Sequence, residues 1–345
     1  MSRDQSFNLA VKQLIRLIWV LIFCVIGSTV VLIGDQHGIF DPVQISDQNL
    51  EASIDPPVAN TSNSLIWQAP DESTIPNDEK GDLIRYGKEL IAHTSVYLGP
   101  KGKVKPVSNG MNCQNCHLQA GTIPYGNNYG RVASSYPKFR NRSGTIEGFE
   151  KRINGCFQRS LNGEGLSEDS KEMRAMVAYL KWVGGEVPPG KEIPGFGFPT
   201  LKPLDGPADP EKGKLVYVSY CARCHGENGE GKIAESGLEW QYPPLYGEES
   251  YNIGAGLFRV SRFATFVKFN MPFGVTYKNT FLTDEEAWHV AAFVNSMPRP
   301  TKDLSGDWPD ISKKPVDHPF GPYADRFSEN EHKYGPFPPL QAANN

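Results

Sequence analysis

The sequence predicts an all-α chain with two small helical domains in tandem, joined by long loops and preceded by an N-terminal transmembrane helix. Three observations predict it. The pattern Cys-x-x-Cys-His occurs twice, as Cys113-Gln114-Asn115-Cys116-His117 and as Cys221-Ala222-Arg223-Cys224-His225. Each copy is flanked by segments whose apolar residues recur at helical spacing. Residues 17–34 form an uncharged apolar run behind Arg3, Lys12 and Arg16.

Two cysteines three apart share one side of a helical turn. Both sulfurs then reach one edge of a porphyrin as thioethers, and the histidine that follows is carried under the ring as an iron ligand. A structural zinc half-site or a redox Cys-x-x-Cys is the competing reading. Zinc needs a second pair of ligands at matching spacing, and neither motif has one. Two copies therefore imply two covalently bound haem c groups and two tandem class I cytochrome c-like domains. A hydrophobic content of 39% is modest for two cores in 345 residues, and porphyrin supplies the missing apolar surface. A net charge of −4 without a long basic run argues against nucleic acid as a partner. Haem takes four of the six cysteines, leaving Cys24 in the apolar run and Cys156.

The segment 1–34 is expected to be a membrane anchor. Between Leu17 and Glu79 there is no Lys or Arg, while Asp and Glu recur, an asymmetry that places the N-terminus in the cytoplasm and the rest outside. The run is just long enough to span a bilayer. A cleaved signal peptide is the rival, but the exit Val30-Val31-Leu32-Ile33-Gly34 lacks a small-x-small cleavage site. The haem-bearing part is thus expected in the periplasm, tethered to the inner membrane.

Residues 35–64 are acidic and aperiodic and read as a flexible linker. The first domain, 65–190, begins with a helix capped at Asn77 and ending near His93, with Leu83, Tyr86, Leu90 and Ile91 on one face. His93 reads as a helix-end residue. After the first motif, helices are expected over 146–161, behind Thr145, and over 168–183. In the latter, Met173 and Met176 read as core. Gly and Pro mark a linker at 191–209. The second domain, 210–300, repeats the order, with a helix from Pro210, the motif, a long loop and a last helix. Thr283 and Glu286 form the capping box of that last helix, which runs to Ser296. The glycine-rich stretch 226–232 imitates a phosphate loop, but it follows a haem motif and has Ile233 where a magnesium-binding hydroxyl belongs; it reads as a turn. The proline-rich tail, 301–345, is expected to be extended along the surface.

The second axial position of each iron sets its chemistry. In the second domain the candidate is Met271, because Pro272 forces it out of helical geometry and presents its thioether from a loop. The first domain has no comparable Met-Pro; its outstanding residue is Cys156. A lone cysteine is ordinarily a buried thiol. Here Arg152, Cys156 and Ser160 recur four apart on one helix face. Arg152 and Arg159 lie close enough to favour a thiolate, and Gly155 permits close backbone approach to a haem.

At these residues the chain closely resembles the thiosulfate dehydrogenase/tetrathionate reductase family of dihaem c-type cytochromes. The likeness runs from about 67 to 300. It includes 136–145 (Tyr-Pro-Lys-Phe-Arg-Asn-Arg-Ser-Gly-Thr), the Arg-x3-Cys-x3-Ser run ending at Ser160, 250–256, and Asn270-Met271-Pro272. The resemblance implies His117 and Cys156 as axial ligands of a catalytic haem, and His225 and Met271 as those of an electron-transfer haem. It also implies a substrate pocket lined by Arg142, Arg152 and Ser160. Some members carry a lysine immediately before the methionine; Asn270 stands there instead, and the retained anchor is a second departure. The expected reaction is reversible coupling of two thiosulfates to tetrathionate, with electrons passed to a periplasmic cytochrome or other acceptor. Cys156 would act as iron ligand alone or as a nucleophile forming a sulfur adduct. The alternative is a membrane-tethered electron carrier without substrate chemistry, with Cys156 idle.

Overall fold

The computed structural model describes residues 66–343 together with Arg16 and Trp19. Apart from Trp19, the expected anchor at 17–34 and linker at 35–64 lie outside the described residues. Among the described residues no helix is long and apolar enough to cross a membrane.

Each half is built around a first and a last helix. In the first half Asp78, one residue later than expected, accepts from the Gly81 N–H and opens α1 (Glu79–Ala92). A short α2 (Thr94–Leu98) follows, then the first motif, then α3 (Phe149–Arg159) and α4 (Lys171–Val183). Ser170 caps α4 by accepting from the Met173 N–H. In the second half Asp209 caps α5 (Pro210–Tyr220), which starts with proline where a missing N–H costs nothing. After the second motif come α6 (Val260–Asn270) and α7 (Asp284–Ser296), the latter opened by the expected Thr283–Glu286 capping box.

α1 packs against α4, and α5 against α7. The same device brings both pairs together. A Cβ on Gly87 would lie 2.0 Å from the Ala175 carbonyl oxygen, and one on Gly213 would lie 1.9 Å from that of His289. Only glycine permits backbones this close. Gly87→Ala and Gly213→Ala are each expected to cost about 1–3 kcal/mol by overpacking the crossing, read as a fall of several degrees in the melting temperature of the haem-loaded protein.

Two expectations need correction. The chain is helical in the main, but it also carries two small antiparallel hairpins, β1 (Lys138–Arg140) with β2 (Thr145–Glu147), and β3 (Lys232–Ile233) with β4 (Trp240–Tyr242). The helix expected from 146 therefore starts at Phe149, because Thr145, Ile146 and Glu147 pair with β1. The tail, for its part, is not simply extended. It forms α8 (Glu329–Tyr334) and α9 (Phe337–Ala343). Phe337 and Leu340 are buried, and Phe337 packs on Trp288. Apolar residues between the prolines, which a composition reading passes over, hold it down.

The described residues from 66 to 343 belong to one compact unit with two cores. The first is built on Leu90, Leu98, Met173, Met176 and Tyr179, confirming the two methionines as core. The second is built on Tyr217, Trp288, Val290 and Phe293. The halves interlock, since Tyr251, Ala255 and Phe258 of the second half join the first core. From the β3–β4 loop, Glu239 Oε2 meets His93 Nδ1 at 3.0 Å and accepts from Asn112 Nδ2 at 2.9 Å. His93 is thus the C-cap of α1 and an interface residue.

Candidate active site

The first motif is held from both sides. Asn112 Oδ1 accepts from the Ser95 N–H at 2.8 Å, and the Cys113 N–H donates to Thr94 Oγ1 at 3.0 Å. Cys113–Asn115 form one tight helical turn, and the His117 N–H closes back onto the Cys113 carbonyl. The His117 ring stacks on Tyr129, and its Nδ1 donates to the Asn127 carbonyl at 2.5 Å. That bond commits Nδ1 and leaves Nε2 for a ligand.

His117 lines a cavity of about 240 Å³, and α3 presents Arg152, Cys156 and Ser160 to the same cavity. Arg152 Nη1 donates to Cys156 Sγ at 3.2 Å. Burial pushes the Cys156 thiol up, but the Arg152 charge, the facing His117 and the hydrogen bonds from both outweigh it and bring it down to about 6. Burial pushes Cys113 and Cys116 up to about 12 with nothing comparable to offset it. Cys156 is therefore set apart as a thiolate, the form that ligates metal and attacks sulfur. The Cys156 thiolate, in turn, holds the Arg152 guanidinium's pKa above the usual arginine value, against the opposite pull of burial.

The second cavity, about 350 Å³, is lined by Cys221, Cys224, His225 and Met271 among mostly apolar side chains. His225 Nδ1 donates to the Pro243 carbonyl at 2.8 Å, again leaving Nε2 for a ligand. Burial lowers the His225 pKa and keeps the ring neutral, against the opposite pull of that carbonyl. Met271 is extended, as Pro272 requires. Asn270 is turned away and buried, donating to the Phe266 and Tyr125 carbonyls.

Both cavities fit a haem c. Each has a Cys-x-x-Cys pair on one wall, an imidazole with Nδ1 already committed, and a sulfur among the other lining residues: a thiolate in the first, a thioether in the second. Met111, Asn112 and Cys116 line both cavities, so the two sites are neighbours across one motif. Met271→Ala is expected to lower the reduction potential of the second site on the order of 100 mV, since thioether ligation favours ferrous iron. A redox titration checks it, with the first site's potential unchanged.

Arg152, Cys156 and Ser160 come together as the sequence predicts. Arg142 does not share their wall. Its Nη1 reaches the Gly254 carbonyl at 3.4 Å and its guanidinium lies over the Trp308 ring at 5.7 Å. Burial, then Arg159, brings its pKa down to about 10. Arg159, read as a second support for the thiolate, instead donates to Asp307 Oδ1 at 2.7 Å, because it faces the tail. Sequence reasoning missed Arg140, which lines the first cavity. The alternation Lys138-Phe139-Arg140 before Asn-Arg-Ser-Gly was the available hairpin signal.

Comparison with known proteins agrees with this division. Residues 103–188 match the SoxA/TsdA cytochrome c domain, and residues 210–298 match the cytochrome c family. The chain is 37% identical to a thiosulfate dehydrogenase of Stutzerimonas stutzeri over 68% of its own length and 73% of the relative's.

The chain belongs to the thiosulfate dehydrogenase family.

A second family member, from Psychrobacter arcticus, is 39% identical over 70% of this chain and 71% of its own. A solved thiosulfate dehydrogenase (TsdBA) of Marichromatium purpuratum superposes with a TM-score of 0.62 at 32% identity, over 68% of this chain. This chain spans half the length of that one. As a member of the thiosulfate dehydrogenase family it is an oxidoreductase built from two cytochrome c domains.

Proposed function

We propose that this chain joins two thiosulfate dianions into one tetrathionate dianion, releasing two electrons and no proton, at the cavity that carries Cys156. The observation that carries the proposal is a half-buried thiol held as thiolate by Arg152 in a cavity that His117 also lines. The thiosulfate dehydrogenase relatives support the substrate.

When bound, the two haems supply one-electron acceptors that match the two electrons of each coupling. Cys113, Cys116, His117 and Cys156 would hold the first; Cys221, Cys224, His225 and Met271 would hold the second. Anions in a half-buried site repel strongly: two unit charges 4 Å apart cost about 4 kcal/mol at an effective dielectric of 20. The guanidinium groups gathered around the cavity offset that cost before substrate arrives. The Ser160 hydroxyl, on the same wall, orients one substrate. The shared wall of Met111, Asn112 and Cys116 gives the electrons a short path to the second site, and from there to a cytochrome or other acceptor protein. The charge asymmetry about residues 17–34 supports a periplasmic enzyme tethered to the inner membrane.

Full-length, haem-loaded protein given thiosulfate and an electron acceptor is expected to form one tetrathionate per two thiosulfates and two electrons. Acceptor reduction without tetrathionate would point to another sulfur product. No reduction at all would leave an electron carrier.

A further inference from the structure

We infer that Arg140, on the β1–β2 hairpin, grips the sulfonate of incoming thiosulfate, while Arg152 serves the thiolate. The inference deepens the proposed function and rests on it. Arg152 is already committed, since its Nη1 donates to Cys156 Sγ and its charge answers the protein's own anion. Arg142 and Arg159 are turned towards Gly254, Trp308 and Asp307, and neither is on the cavity wall. Arg140 is on that wall. Its side chain is 35% exposed, and its ionic neighbour Glu147 stands 4.0 Å from Nε. Among the described residues, nothing accepts a hydrogen bond from its Nη1 or Nη2.

The hairpin explains the placement. Alternate strand residues share a face, so Lys138 goes with Arg140 while Phe139 points away and is 60% exposed. Pairing of Lys138 with Glu147 and of Arg140 with Thr145 fixes this register. The tail steadies the turn from outside, where the Trp308 N–H donates to the Arg142 carbonyl at 2.7 Å. Burial, and then Arg140, Arg131 and Arg152, pull the Lys138 ammonium below its ordinary range, so this corner holds more positive charge than carboxylate. A guanidinium fork with free Nη donors, on a half-open wall, suits a sulfonate through two parallel N–H···O bonds. A sulfonate held there leaves the terminal sulfur free to react. Lys138 adds charge to the corner without the fork.

The test pairs steady-state kinetics with anaerobic calorimetric titration of thiosulfate into haem-loaded protein fully reduced by titanium(III), a reductant strong enough for a thiolate-bound haem, so that no electron-accepting capacity is left. Arg140→Gln is expected to weaken binding and raise KM about tenfold or more. Removing a contact made equally by substrate and transition state leaves kcat within about threefold. The thiolate signature of the oxidised protein stays unchanged, and Arg140→Lys recovers only part of the affinity. Unchanged affinity and KM in Arg140→Gln would overturn the inference. So would a displaced thiolate signature, which would make Arg140 a support for Cys156. If the wild-type protein binds thiosulfate through Arg140 without oxidising it, the proposed reaction fails and the Arg140 site stands. If the wild-type protein does not bind thiosulfate, both fail.

Discussion

Cys156→Gly is expected to abolish thiosulfate-dependent turnover, by about a thousandfold or more, with both haems still attached. Attachment depends on the motif cysteines and histidines, and Cys156 is none of them. A glycine within α3 costs about 1 kcal/mol of helix stability, too little to unfold a domain with this core. Cys156→Ser keeps the helix and the size of the side chain but removes the thiolate, and it is expected to be as inactive. Turnover is measured against haem content per chain. A variant with wild-type activity would make Cys156 a bystander and leave the chain an electron wire.

Arg152→Gln carries the second large effect. The guanidinium sits beside a half-buried anion, and without it that anion keeps His117 as its main support. Losing a preorganised donor of this kind costs about a hundredfold or more in kcat/KM, and the thiolate absorption of the oxidised protein is expected to shift as well. Arg159→Gln is the informative control. Its guanidinium is paired with Asp307 and not with the thiol, so the thiolate signature is expected to stay in place.

The sequence made legible what depends on short-range chemistry. The two haem motifs, the capping box at Thr283, and the i, i+4, i+8 face of Arg152, Cys156 and Ser160 are all local patterns. Met271 followed from a single backbone restriction, the proline after it. What stayed hidden depends on partners distant in sequence. Arg142 and Arg140 are two residues apart on one hairpin, and only the hairpin's register and the packing of Trp308 decide which reaches the cavity. The proline count of the tail pointed to an extended strap, yet Asp317 is buried against Arg259 and Ser261. His332 is buried between the Val316 carbonyl and Asp325. None of these pairings has a local signature. The interlocking of the halves through Glu239, His93 and Asn112 is invisible for the same reason.

The electron paramagnetic resonance spectrum of the oxidised, haem-loaded protein tests the central assignment most directly. It is expected to contain two distinct low-spin signals. One should have the compressed g-values of thiolate ligation and be lost in Cys156→Gly; the other, of histidine–methionine type, should be lost in Met271→Ala. Two histidine–methionine signals, with Cys156→Gly indistinguishable from wild type, would contradict a thiolate at the first iron and remove the reaction chamber from the account.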